Sequence, residues 1–241
     1  MDAGRVKTGI DGYDRMLNGG YLPNSVNLLS GCSGTGKTLF STAFVYEGAR
    51  MFKEKGLYIT LEEGTDQIIQ NCRSVGMDLE SVGEDFLMML DIASVRSLYS
   101  SKEELERPDS PVDIQTLISF LKMNDSGIKR IVIDGIMPLS LRYSQVSEFR
   151  SELFRLKMAL KDMNATSVLT TEILPSSNDV SRFGIEDFLA DSVTVLKTLE
   201  GKGNLLRIHK QRGSDHIREA VRYDITGKGL KVAYDEFRSP L

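Results

Sequence analysis

The chain has 241 residues, of which 41% are apolar, 27% charged and 7% aromatic, an ordinary globular composition that excludes a disordered or collagenous protein. Its 30 Lys and Arg stand against 34 Asp and Glu, a net charge of -4, which argues against a dedicated nucleic-acid binder. No apolar run approaches the roughly 18 residues of a membrane span, residues 1–17 lack the apolar segment of a secretory signal, and Cys32 and Cys72 form neither metal-ligand spacing nor a disulfide framework, so a reducing cytoplasm is the expected setting.

In chain order, short apolar runs alternate with longer amphipathic stretches, which reads as an α/β fold. Strands are expected at 25–30, 57–61, 86–92, 131–134 and 167–171. Each is apolar without strict alternation, as suits a parallel strand covered on both faces. Helices are expected at 39–52, at 65–75 and most clearly at 148–163, where Phe149, Leu153, Leu156 and Leu160 recur at helical spacing and predict a core-facing stripe. Residues 97–111, rich in Ser, Glu and Pro, predict a surface loop. Beyond Asp191, strand-like runs at 193–199, 205–211, 220–225 and 230–234 are separated by short Gly-containing segments, so the sheet is expected to continue antiparallel. No linker separates two cores, and the expectation is one domain over 1–241.

Residues 31–38 read GCSGTGKT, a full match to the phosphate-loop pattern G-x-x-x-x-G-K-[ST]. Gly31, Gly34 and Gly36 allow the turn that aims backbone N–H groups at phosphate oxygens. Lys37 supplies charge between the terminal phosphates, Thr38 supplies a hydroxyl for Mg²⁺, and the helix that follows directs its positive end at the same anion. An apolar strand precedes the loop and a helix follows it, as this chemistry requires. A second acidic group is then expected at the end of a neighbouring strand, and Asp134 in KRIVIDG fills that place. Hydrolysis also needs a carboxylate to orient or deprotonate water. The strand at 57–61 runs into Glu62 and Glu63, and two adjacent carboxylates raise each other's proton affinity. Both face the nucleotide only if the strand ends there, which Gly64 allows.

At 209–216, HKQRGSDH places Lys210, Arg212, Ser214 and His216 on what reads as a tight connection between strands. Two readings stand on the residues alone: a solvated basic turn, or cations reaching a neighbouring chain's phosphates. His209 reads as a strand residue, and neither histidine has a metal partner.

These segments together, with TGIDGYDRMLNGGYLP, YITLEEGTDQIIQNCRSVGMDL, ELFRLKMALKDMNATSVLTTE, RFGIEDFLADSVTVLK and LRIHKQRGSDH, resemble the KaiC family of RecA-like ATPases, and specifically one KaiC repeat, over nearly the whole chain. The resemblance implies a RecA-like P-loop core, a mostly parallel twisted sheet flanked by helices with an antiparallel extension. It implies a homohexameric ring with ATP and Mg²⁺ between subunits. Gly34, Thr35, Gly36, Lys37, Thr38 and Leu39 then hold phosphates and Ser74 lies near the base. Glu62 and Glu63 match the catalytic pair, and Asp134 the Mg²⁺-side aspartate. Lys210, Gln211, Arg212, Ser214 and His216 match the turn that reaches the adjacent subunit's nucleotide. The chain has room for one repeat and looks most like the ATP-hydrolysing one; autophosphorylation belongs to the other. Gly135 stands where the family usually has Ser, and Gly227 replaces an acidic residue. The expected activity is slow ATP hydrolysis coupled to conformational signalling. The competing readings are a DNA recombinase or helicase motor, a Ser/Thr autokinase and a nucleotide-binding scaffold. Against the motor stand the acidic balance and the segment 175–183, where Arg182 is the one basic residue.

Overall fold

A computed structural model describes residues 4–91, 113–124, 127–174, 179–201 and 203–235. The expected loop at 97–111 and residues 175–178 lie outside them. Among the described residues, nine strands form one sheet in the order β3-β2-β4-β5-β1-β6-β7-β8-β9. The parallel part comprises β1 (Val26–Gly31), β2 (Lys55–Thr60), β3 (Leu87–Asp91), β4 (Ile128–Asp134), β5 (Thr166–Glu172) and β6 (Ser192–Leu199). The antiparallel part adds β7 (Gly203–Gln211), β8 (Val221–Thr226) and β9 (Gly229–Val232). This is the mixed, mostly parallel sheet flanked by helices that the pattern predicts.

The central strands are buried on both faces because consecutive residues point to opposite layers. Leu28, Ile131 and Leu169 meet α4 (Ile114–Met123) and α5 (Val146–Asp162), whereas Leu29, Val132 and Val168 meet α1 (Asp11–Met16), α2 (Lys37–Phe52) and α3 (Thr65–Ser74). The stripe on α5 is as expected: Phe149, Leu153, Leu156 and Leu160 are all buried. Each such side chain contributes about 1.5–3 kcal/mol relative to exposure. A short helix, α6 (Glu186–Leu189), follows and packs beside α5.

One buried cation has no trace in the pattern. Arg130 on β4 is 1% exposed, and its guanidinium donates to Glu54 at 2.6 Å and to the carbonyls of Lys7 and Phe44 at 2.7 and 2.8 Å. Burial of a charge is tolerable only with such pairing.

The connection between β7 and β8 corrects an expectation. It spans residues 212–220 and is not tight, because β8 pairs with only Asn204, Leu205 and Leu206 of β7. The far half of β7 runs on past it. The loop folds back on α1 instead, with Ile217 N–H donating to the Met16 carbonyl.

Candidate active site

The phosphate loop joins β1 to α2. Gly36 takes the position before the helix with φ 85°, a left-handed backbone that favours glycine, and a Cβ there would crowd Ile225 Cδ1 at 2.6 Å. Phe40 N–H bonds back to the Gly36 carbonyl at 3.0 Å. By helical geometry the earlier amides of Lys37, Thr38 and Leu39 are the ones left for an anion at the positive end of α2. The Thr35 hydroxyl turns inward to the Cys32 carbonyl at 2.8 Å, while its own carbonyl accepts from Tyr223 at 2.5 Å. Thr35 therefore offers backbone, not side chain. The Leu39 side chain likewise packs on the core beneath α2. Lys37 Nζ donates to the Cys32 carbonyl at 3.1 Å and lies 3.6 Å from Glu172 at the end of β5.

Asp134 is not on the strand beside β1, as expected from sequence; β5 intervenes. It still reaches the loop, because α2 crosses over β5 and β4 and brings its first turn above Asp134. The Thr38 hydroxyl donates to Oδ2 of Asp134 at 3.0 Å. Tyr58 donates to the same oxygen at 2.6 Å, and Thr170 to Oδ1 at 2.6 Å. Three hydroxyls thus fix a nearly buried carboxylate. Burial, then the charge of Asp134, pushes the Tyr58 phenol well above its ordinary range, so it remains a donor. Sequence reading missed Tyr58, Thr170 and Glu172. The only available signal was their position near strand ends that face the loop.

β2 ends at Thr60, so Glu62 and Glu63 lie in the bend that leads to α3. The Glu62 side chain lies across Gly135, whose φ of 79° and missing Cβ make room for it. Although Glu62 as a residue is exposed, partial desolvation of its carboxyl among the strand ends raises it above its ordinary value, followed by the charges of Glu172 and Asp134; Glu63 contributes less than either. The raised proton affinity therefore comes mainly from the strand ends around Glu62, not from its neighbour in sequence. Glu63 is tied instead by its backbone, with its N–H donating to Thr60 Oγ1 at 3.1 Å.

Ser74 ends α3 and donates to the Asn71 carbonyl at 2.7 Å. Just beyond it, Gly76 packs against the Gly227 carbonyl of the β8–β9 turn. The β8 end and its turn, Ile225 to Gly227, thus lie close to both the phosphate loop and the end of α3.

The cationic turn lies elsewhere. Gly31 is in register with Leu196, and Leu196 with Leu206; Asn27 is in register with Ser192, and Ser192 with Gln211. Gln211 thus sits four residues, about 13 Å, toward the opposite end of the sheet from the phosphate loop. Lys210 Nζ donates to the Asp187 carbonyl at 2.5 Å and Arg212 to the Phe188 carbonyl at 3.2 Å. Burial and the adjacent Arg212 lower the Lys210 pKa. Gln211 points inward and donates to the Leu17 carbonyl at 3.2 Å. Ser214 accepts from Arg5 at 2.6 Å, and His216 is held by its N–H on Asp215. His209 lies within β7, as expected. Among the described residues no cluster of three His, Cys, Asp or Glu could hold a metal.

A phosphate loop, a hydroxyl-caged aspartate and a raised glutamate form the constellation of a nucleotide hydrolase. The family profile "ATPase: KaiC" matches residues 6–236. The chain belongs to the KaiC ATPase family. It is similar to the circadian clock oscillator protein KaiC of Synechococcus elongatus, 36% identical over 95% of this chain and 44% of that protein. It is also similar to KaiC 1 of Synechocystis sp., at 34% over the same shares. The chain spans less than half the length of these KaiC relatives and corresponds to a single KaiC-type ATPase repeat. No helix among the described residues is long and apolar enough to cross a membrane.

Proposed function

We propose that residues 1–241 form one ATPase domain that binds Mg-ATP at the phosphate loop and hydrolyses it slowly at the interfaces of a homohexameric ring in the cytoplasm, coupling turnover to conformational signalling. One observation carries the composite site: the cations of the 210–216 turn lie at the opposite end of the sheet from the phosphate loop of the same chain. They can serve phosphates only on another copy.

In this reading the amides from Gly34 to Leu39 and the Lys37 ammonium hold the phosphates, and Ser74 with Thr226 borders the base. Thr38 Oγ1 and Asp134 Oδ2, 3.0 Å apart, are hard oxygen donors with a single carboxylate. That set suits Mg²⁺, which keeps several sites for phosphate and water. Bound there, Mg²⁺ would neutralise charge on the terminal phosphates. Glu62, with its raised proton affinity, accepts the proton of the attacking water, and Glu63 supports it from the mouth of α3. Lys210 and Arg212 of the adjacent copy, with Ser214 and His216 shaping their turn, stabilise the charge that develops on the transferred phosphoryl group. Such a cation is worth about 10³–10⁵ in rate in GTPases.

The test is ATP hydrolysis across protein concentration, with oligomer mass recorded in the same samples. Specific activity should rise as the ring forms, and Arg212→Ala should lose most turnover while still assembling. Full activity in Arg212→Ala, or constant activity in a monomer, refutes the composite site. Turnover stimulated by DNA, or a phosphate-sized mass increase after incubation with ATP, would redirect the reading to a motor or an autokinase.

A further inference from the structure

The surface beside the cationic turn carries more than charge. Phe188 on α6 is 61% exposed, and Phe154 and Met158 on α5 are 53% and 44% exposed. They share one patch. The Arg150 guanidinium lies 5.9 Å from the centre of the Phe188 ring, and Lys157 Nζ donates to the Leu189 carbonyl. Phe154 therefore sits on the face of α5 between two residues that touch α6. Exposed aromatics grouped this way, with cations around them, are the composition of an interface anchor and not of a solvated surface.

The patch is also rigid. The Glu186 carboxylate accepts from the N–H groups of Phe183 and Ile185, both at 3.2 Å, and Ser181 donates to Asp187 at 2.7 Å. These bonds fix α6 so that Phe188 faces outward with little ordering left to lose on docking. The same helix accepts Lys210 and Arg212 on its carbonyls. Anchor and cations are thus held on the same short helix.

A complementary surface exists on the same chain. At the phosphate-loop end, Glu62, Glu63 and Asp66 are exposed, Glu172 is partly exposed, and Leu174 beyond β5 is 51% exposed. Carboxylates with an apolar side chain at one end of the sheet match cations with apolar side chains at the other. A contact between unlike ends is head to tail, and it closes into a ring when the rotation permits.

Resting on the composite-site reading above, we infer that Phe188, with Phe154 and Met158, is the anchor by which one copy docks its Lys210–Arg212 turn onto the phosphate-loop end of a second copy. The occupant of the patch is this chain itself, and the docking has a direction: the anchor belongs to the copy that supplies the cations.

The direction makes the test specific. An Arg212→Ala chain supplies a turn that lacks one of its two cations, and a Lys37→Ala chain cannot hold phosphates, so their mixture should recover turnover well above that of either alone. Phe188→Ser with Phe154→Ser, added to the Lys37→Ala chain, should lower that recovery at least tenfold. The same pair added to the Arg212→Ala chain should leave it largely intact. Because all three apolar residues are exposed, the variants should keep their circular dichroism and thermal midpoint, and the Phe-substituted chain with an intact phosphate loop should bind a fluorescent ATP analogue with unchanged affinity per chain. Recovery that is indifferent to the Phe substitutions in either chain overturns the docking inference alone. Absence of recovery in the parent mixture overturns the composite site, and the docking inference with it.

Discussion

Gly135→Ala separates backbone strain from the placement of Glu62. Gly135 has φ 79°, and a Cβ built there would lie 2.6 Å from Glu62 Cδ and 2.7 Å from Cγ. The left-handed conformation costs an alanine about 1–2 kcal/mol. In a chain of this size each kcal/mol lowers the thermal midpoint by about 2–4 °C, so a fall of about 2–8 °C is expected. The clash itself is relieved by moving the end of a flexible side chain. Restoring ordinary contact at 3.4 Å takes a shift of about 0.8 Å. A displacement of that order at a catalytic group can cost about 100-fold in rate, so kcat should fall tenfold to a hundredfold while ATP affinity changes little. Phosphate release and calorimetry on Gly135→Ala, alone and with Glu62→Ala, check both parts. In the Glu62→Ala background the midpoint should still fall, because the strain remains, but no further activity should be lost. An unchanged kcat in Gly135→Ala would refute the placement of Glu62 over Gly135.

Glu62→Gln combined with Glu63→Gln should bind ATP and barely hydrolyse it; normal phosphate release in that variant removes both residues from the mechanism. The folded chain holds the Glu62 proton more tightly than the unfolded chain does, so this group favours folding below the ordinary glutamate range, and that contribution is lost as pH rises through the raised folded value. Glu62→Gln alone should therefore raise the thermal midpoint at neutral pH and leave it unchanged in acid, a comparison calorimetry can make directly. For the same reason the acid limb of the pH–rate profile should lie above the ordinary glutamate range and move down in Glu172→Gln. Tyr58→Phe removes a buried donor from Asp134 and should cost about 1.5–3 kcal/mol in denaturant unfolding. Leu156→Ala, in the buried stripe of α5, should cost about 2–5 kcal/mol by the same assay without altering ATP affinity.

The elements were legible wherever local periodicity decides them. The apolar runs before residue 172 became parallel strands, and of the Gly-punctuated runs after Asp191 the first joined β1 in parallel as β6 while the last three became the antiparallel extension, because burial on two faces and short connections both leave a mark in sequence. The phosphate loop was legible for a different reason: Gly34 and Gly36 hold left-handed backbone that side chains disfavour, and Gly31, in extended β1, has no room for a Cβ against the Leu196 carbonyl. What stayed hidden depends on which strands become neighbours. Arg130 reads as the charged edge of KRIVIDG, and only the tertiary approach of Glu54, Lys7 and Phe44 makes it a buried ion. The 212–220 connection reads as tight because its residues are turn formers. Its true path is set by where β8 joins β7, a register that no local signal encodes.

The strand that separates β1 from β4 shows what that hidden order accomplishes. Asp134 reaches the Thr38 hydroxyl directly although it does not stand beside the phosphate-loop strand. With β5 between them, Thr170 donates to Asp134 Oδ1 from one point on the strand, and two residues on Glu172 lies 3.6 Å from the Lys37 ammonium. Residues two apart on a strand share a face. One strand therefore both pins the aspartate and supplies an anionic partner for the lysine, and Glu172 is also the largest charge acting to raise the Glu62 carboxyl. In the proposed composite site, Lys210 and Arg212 of an adjacent copy offset that surplus of carboxylate around Lys37, since the register holds both residues at the opposite end of the sheet from their own phosphate loop.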